Sequence, residues 1–181
     1  MRILIAIAGG LAISSSALSA HRAASPAAPS SPPSSAPPSA PCAASEFHQL
    51  DFWVGSWDVY PTGKDKLVAH SLIEAVYGCG IRENWMPLNN RPGGSLSVYV
   101  PADKHWEQFW IDSGGSRALF TGGWNGKAMV ITGKWGGPLV RMSYSKSDDG
   151  SVRQFGEQSS DEGKTWTPQF DFTYRRSPSS N

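Results

Sequence analysis

The sequence predicts an all-β fold, an antiparallel up-and-down β-barrel of about ten strands. Three observations carry this prediction. After the first quarter of the chain, turn signals recur at short, even intervals, the spacing of a barrel or a sandwich. The segments between them are rich in aromatic and β-branched residues, and none sustains the apolar period of a helix. The links are too short for crossovers, so successive strands should pair as antiparallel hairpins.

Two segments precede the barrel. Residues 1–20 carry one positive charge at Arg2, an apolar run from Ile3 to Ile13 and small residues toward Ala20. This is the pattern of a secretory signal peptide, cut between Ser19 and His21. The run is shorter than the roughly 20 residues that span a bilayer, so no membrane span is expected after cleavage. Export places the protein in the periplasm or outside the cell. Residues 21–45 hold 7 of the 14 prolines and almost no large apolar side chain. Such a segment buries too little surface to offset its ordering entropy and reads as a disordered linker, partly polyproline II. The barrel domain is expected over residues 46–177, with a disordered tail at 178–181.

From Glu46 onward the chain has 14 basic residues against 15 acidic ones, a net charge of −1. No basic stripe is present, which argues against a nucleic-acid partner. Cys42 and Cys79 are the only cysteines. In an oxidising compartment they are expected to close a disulfide that staples the end of the linker to the barrel.

The elements follow in order. "SEFHQLDF" shows one helical turn, capped by Ser45 and placed to plug a barrel end. The ten strand segments are "DFWVGSWDVY", "LVAHSLIEAVY", "IRENWMPL", "GSLSVYV", "HWEQFWID", "RALFTGGW", "KAMVITGKW", "PLVRMSYSK", "SVRQFGEQS" and "TWTPQFDFTYR". Among the links, Asn125-Gly126 is the strongest hairpin signal. A ten-strand meander leaves two open edges unless it closes, and closure removes both. A two-sheet sandwich is the alternative.

The first strand carries Gly55 and Trp57 in the Gly-x-Trp arrangement that opens lipocalins and fatty-acid-binding proteins. With "GCGIRENW", "GGSLSVYVPADKHWEQFWIDS", "VRQFGEQSSDEGKTW" and "FDFTYRR", the chain from Phe47 to Arg176 resembles a bacterial family of exported lipocalin-like barrels of unknown function. The resemblance implies that Trp57 seals the closed end beneath the cavity. It brings no substrate, cofactor or catalytic residue. Gly156 departs from it, standing where a bulky aromatic is expected.

"SSDEGKTW" resembles the Asp-box of sialidases and related propellers, with Ser159, Asp161, Gly163, Thr165 and Trp166 in place. In those proteins the box is a hairpin turn, remote from the chemistry and repeated in successive blades. Here it occurs once, in a domain too short for a propeller. Asp161 is expected to bond the turn backbone, Gly163 to supply a positive φ and Trp166 to pack the returning strand. A calcium loop would need further acidic ligands and a glutamate at its twelfth position.

Alternation along the strands suggests the cavity wall. In "HWEQFWID", Trp106, Gln108, Trp110 and Asp112 share one face, which is mixed in character, as a ligand-lining face would be. The same reasoning groups Glu83 with Trp85, Ser97 with Tyr99, Arg141 with Ser143, and Arg153 with Phe155 and Glu157. Glu83, Trp85, Ser97, Tyr99, Gln108, Trp110, Arg141 and Arg153 are therefore candidates to surround a small-molecule ligand. A buried arginine would need Glu83 or a ligand carboxylate as partner. The alternative is that the arginines point outward and pair across strands.

No cofactor or metal is expected. His48, His70 and His105 are scattered and lack zinc-ligand spacing. A lone histidine, His70 or His105, could ligate haem only if it faced inward. No nucleophile elbow or phosphate loop is present. Carboxylates such as Glu83, Asp112 and Glu157 could pair for glycoside hydrolysis if they met inside the barrel. The leading expectation is a barrel that binds a small, partly apolar ligand. Its rivals are a hydrolase using inward carboxylates and a docking module with a filled barrel. A cavity of about 300 Å³ or more would favour binding over docking.

Overall fold

A computed structural model describes residues 42–178. The expected signal peptide, most of the linker and the last residues of the tail lie outside the described residues. Two short 3-10 turns, Ser45–His48 and Asp51–Trp53, lead into ten strands. These are β1 (Gly55–Pro61), β2 (Ala69–Val76), β3 (Gly80–Pro87), β4 (Gly93–Val100), β5 (His105–Asp112), β6 (Arg117–Trp124), β7 (Met129–Lys134), β8 (Leu139–Lys146), β9 (Val152–Ser159) and β10 (Thr167–Arg176). All neighbours are antiparallel, and β1 pairs with both β2 and β10, so the sheet is a closed up-and-down barrel rather than a sandwich. Closure runs through pairs such as Trp57 with Arg176 and Val59 with Tyr174. The edges that an open meander would expose are thereby paired.

The period of two sorts side chains between interior and solvent. In β1, Trp57 and Val59 are buried, and in β8 Val140, Met142 and Tyr144 are. Trp53, Trp57 and Trp106 are completely buried. At about 25 cal/mol per Å², each such ring contributes roughly 4 to 6 kcal/mol before entropy is counted. On the outside, Leu96, Phe109 and Leu119 form an exposed apolar row across β4, β5 and β6.

The 3-10 segment covers the barrel end where β1 begins. Leu50 and Trp53 are buried in the core, and the Trp53 ring lies 4.7 Å from that of Tyr144. Gln49 accepts a 3.1 Å hydrogen bond from Trp106 Nε1. The expected helical turn thus consists of two 3-10 turns. Ser45 does not cap them, because Ala44 occupies the cap position and the Ser45 hydroxyl turns to Glu46. The Cys42–Cys79 disulfide, with Cα atoms 5.7 Å apart, ties this segment to the turn between β2 and β3.

At the same end, Trp57 donates from Nε1 to the carbonyl of Trp53 at 2.8 Å, and the Arg176 guanidinium lies 3.9 Å over its ring. Arg176 also donates to the carbonyl of Val54 at 2.8 Å. Gly55 is required here on two counts: its φ is +147°, and a Cβ would overlap the Arg176 guanidinium. The hairpin at Asn125-Gly126 forms, with a loop of residues 125–128. The Asn125 side chain accepts from the amides of Lys127 and Ala128 at 3.0 and 2.8 Å.

The Ser159–Trp166 stretch joins β9 to β10 as a hairpin turn. Asp161 accepts from the Thr165 amide at 2.8 Å and from its hydroxyl at 2.6 Å, while Ser159 donates to it at 2.7 Å. These donors pull the Asp161 pKa down to about 2, led by the Thr165 hydroxyl. Gly163 adopts φ +87°, and its carbonyl accepts from Trp166 Nε1 at 3.0 Å. Gly156 is explained by its neighbour across the sheet. It pairs with Phe170 on β10, and the Phe170 ring fills the space a side chain at Gly156 would need. The aromatic expected on β9 is supplied by β10.

Candidate functional site

Inside the barrel lies a cavity of about 270 Å³. It extends from mid-barrel toward the end opposite the 3-10 plug, where Asn90 and Trp135 reach it from the β3–β4 and β7–β8 links. Trp85, Trp110, Phe170 and Phe172 wall its outer part, and Glu83, Gln108, Tyr144, Gln154 and Tyr174 lie deeper. The rings contact one another: Trp85 lies 5.8 Å from Phe172, and Trp110 5.9 Å from Trp135.

The polar groups form a directed chain of hydrogen bonds. The Tyr174 hydroxyl donates to Gln154 Oε1 at 2.6 Å, and Gln154 Nε2 donates to the Tyr144 hydroxyl at 3.0 Å. Tyr144 in turn donates to Gln108 Oε1 at 3.3 Å, and Gln108 Nε2 donates to Ser97 Oγ at 3.0 Å. Each amide is held at both ends, so its orientation is set before any ligand arrives. Burial pushes both tyrosine hydroxyls well above their ordinary pKa, with the nearby Glu83 charge adding to the effect. They stay protonated donors.

Glu83 is 5% exposed. Its Oε1 accepts from Ser71 and its Oε2 from Ser95, both at 3.2 Å. Burial raises its pKa to about 7, and the hydroxyls of Ser71, Ser95 and Tyr174 only partly offset that rise. Among the described residues lining the cavity, no side chain carries a positive charge.

The expected cavity set divides. Glu83, Trp85, Gln108 and Trp110 line the cavity. Ser97 is buried behind them and holds Gln108. Tyr99 shares the inward parity but lies toward the plugged end, 5.3 Å from Phe47 and 6.2 Å from Trp106. Arg141 and Arg153 do not line it. They point outward, Arg141 pairing with Glu157 at 2.8 Å and Arg153 with Asp171 at 2.6 Å. The reason is parity: Met142 and Tyr144 on β8 and Gln154 on β9 take the inward positions, and an arginine has solvent and a carboxylate on the outside. Arg141 also lies 4.1 Å over the Trp166 ring, so it braces the Ser159–Trp166 turn.

Two other expectations lose their geometry. Glu157 faces outward with Arg141, and Asp112 binds the amides of Gly114 and Ser116 in the β5–β6 turn, so neither meets Glu83 as a second carboxylate. His70 and His105 pair with Asp58 and Glu107 and do not line the cavity, which removes both as interior haem ligands. Among the described residues, no group of three or more metal-ligating side chains is found.

Tyr144, Gln154, Tyr174, Phe170 and Phe172 were not among the expected residues. One signal points to most of them. The β8–β9 hairpin pairs Tyr144 with Gln154, and the β9–β10 hairpin pairs Gln154 with Phe172. Once the apolar face Val140-Met142-Tyr144 is placed inside, register carries the other residues in with it. No family model matches the chain, and no curated protein matches it.

Proposed function

We propose that this chain is an exported lipocalin-like barrel, periplasmic or secreted, that binds a small, partly apolar molecule in its interior. The observation that carries the reading is the aromatic-walled cavity with an oriented polar floor. Volume alone is not the argument, since about 270 Å³ falls just below the ~300 Å³ at which drug-sized sites begin. A filled docking barrel, however, has no use for Gln108 and Gln154 fixed around a hollow beside a buried carboxyl. Burying polar groups costs free energy even when they are bonded, and a cavity that must orient a ligand gives that cost a purpose. The size calls for a compact ligand rather than a long acyl chain.

The disulfide fits an oxidising compartment. Among the described residues no helix is long and apolar enough to cross a membrane. The test is native mass spectrometry of protein purified from the compartment to which its producing cell exports it. The expected result is a retained adduct of small mass that denaturation releases. An adduct-free protein that also binds no member of a small-fragment set, read by tryptophan fluorescence, would overturn the reading.

A further inference from the structure

Resting on that binding reading, one group in the cavity still lacks an account. Glu83 is a carboxyl without a countercharge. Its two oxygens accept from the neutral hydroxyls of Ser71 and Ser95. Arg82, its neighbour along β3, is outside the barrel and pairs with Glu74, and Arg141 and Arg153, the arginines expected to face inward, are likewise outside and engaged with Glu157 and Asp171. Around Glu83, the Trp85 ring lies 6.4 Å from Tyr174 and 5.8 Å from Phe172. Faces of aromatic rings attract cations, most strongly where water is excluded.

We propose that the cavity takes a compact organic cation, a protonated amine on an apolar body, with Glu83 as its counter-ion and the rings of Trp85, Phe172 and Tyr174 around it. The charge balance is the reason. An ionised carboxylate in this site is stabilised by a ligand that brings the missing positive charge. A neutral ligand leaves that charge uncompensated, and an anionic one is repelled by it. The other titratable groups facing the cavity are Tyr144 and Tyr174, and burial keeps both neutral. Glu83 therefore sets the sign of the site.

The experiment compares three probes of one shape on the full chain as exported, by calorimetry at pH 8: 2-phenylethylamine, 2-phenylethanol and 3-phenylpropionate. The amine is expected to bind at least about tenfold more tightly than the alcohol, and the acid more weakly than either. Glu83→Gln is expected to remove at least about tenfold of the amine affinity and so to close the gap between amine and alcohol. Amine affinity in the wild type should also rise from pH 5 to pH 8 as Glu83 ionises, while alcohol affinity does not rise. This arm stands even if the variant fails to fold. Equal binding of amine and alcohol, preference for the acid, or a flat amine profile would overturn the cation assignment and leave the binding barrel standing. Binding of none of the three overturns the assignment, and the native mass spectrum then decides the broader reading separately.

Discussion

Replacing Glu83 with glutamine should make the ligand-free barrel more stable at pH 8 and no more stable at pH 4. The carboxyl has a pKa of about 7 in the folded state against 4.5 ordinarily, because burial disfavours its charge. Below pH 4.5 it is protonated in both states and contributes no penalty. As pH rises toward 7 the folded state holds its proton more tightly than the unfolded state, so stability falls with pH. Above about 7 the full penalty is present. The difference of about 2.5 pKa units corresponds to roughly 3 kcal/mol, a large part of the 5 to 15 kcal/mol typical of a domain. Glutamine can still bond Ser71 and Ser95 but carries no charge, so it should escape the penalty. Urea titrations of both proteins at pH 4, 6 and 8 read the effect. With a slope of about 1.5 to 2 kcal/mol per M, the variant's midpoint should exceed the wild type's by roughly 1.5 to 2 M at pH 8 and match it at pH 4. Because other groups titrate identically in both proteins, the difference isolates Glu83. Parallel pH profiles, or a variant less stable at pH 8, would refute the reasoning.

Four further outcomes follow from the geometry. Gly55→Val should displace the Arg176 guanidinium from the Trp57 ring and the Val54 carbonyl and impose a strained φ, lowering stability by about 2 to 3 kcal/mol in denaturant titration. Unchanged stability would mean that the closing β1–β10 pair does not depend on this packing. Asp161→Ala should speed amide exchange at Gly163 and Thr165 while leaving the mid-barrel amides protected; uniform loosening would contradict a local turn role. In the wild type, the turn's stabilisation should be present above the ordinary aspartate pKa of 3.8 and be lost as pH falls through about 2, as a carboxyl NMR titration would show. Reducing the Cys42–Cys79 bridge, which closes a separation of 37 residues, should cost up to about 4 kcal/mol in thermal or urea unfolding. No change on reduction would mean that the plug stays docked without its staple.

Much of this molecule was legible in local sequence. Turn residues marked each link, and the period of two in "HWEQFWID" placed Gln108 and Trp110 on one face correctly, because β5 has a mixed but unambiguous alternation. "PLVRMSYSK" and "SVRQFGEQS" were harder. In β9 the aromatic Phe155 sits on the same face as Arg153 and Glu157, so sequence favoured the wrong side, and only pairing with Tyr144 and Phe172 turned Gln154 inward.

The sequence by itself determined ten short strands, their hairpin order, the disulfide partners and the self-contained Asp161 turn. Each depends on residues adjacent along the chain or, for the cysteines, on there being a single pair. The closed sheet decided the rest: which face of β8 and β9 meets the cavity, that Phe170 fills the space at Gly156, and that Glu83 is left without an arginine. Those outcomes depend on register accumulated around the barrel. A shift of one residue in any hairpin reverses every side chain beyond it, and only closure of β10 on β1 fixes the sum.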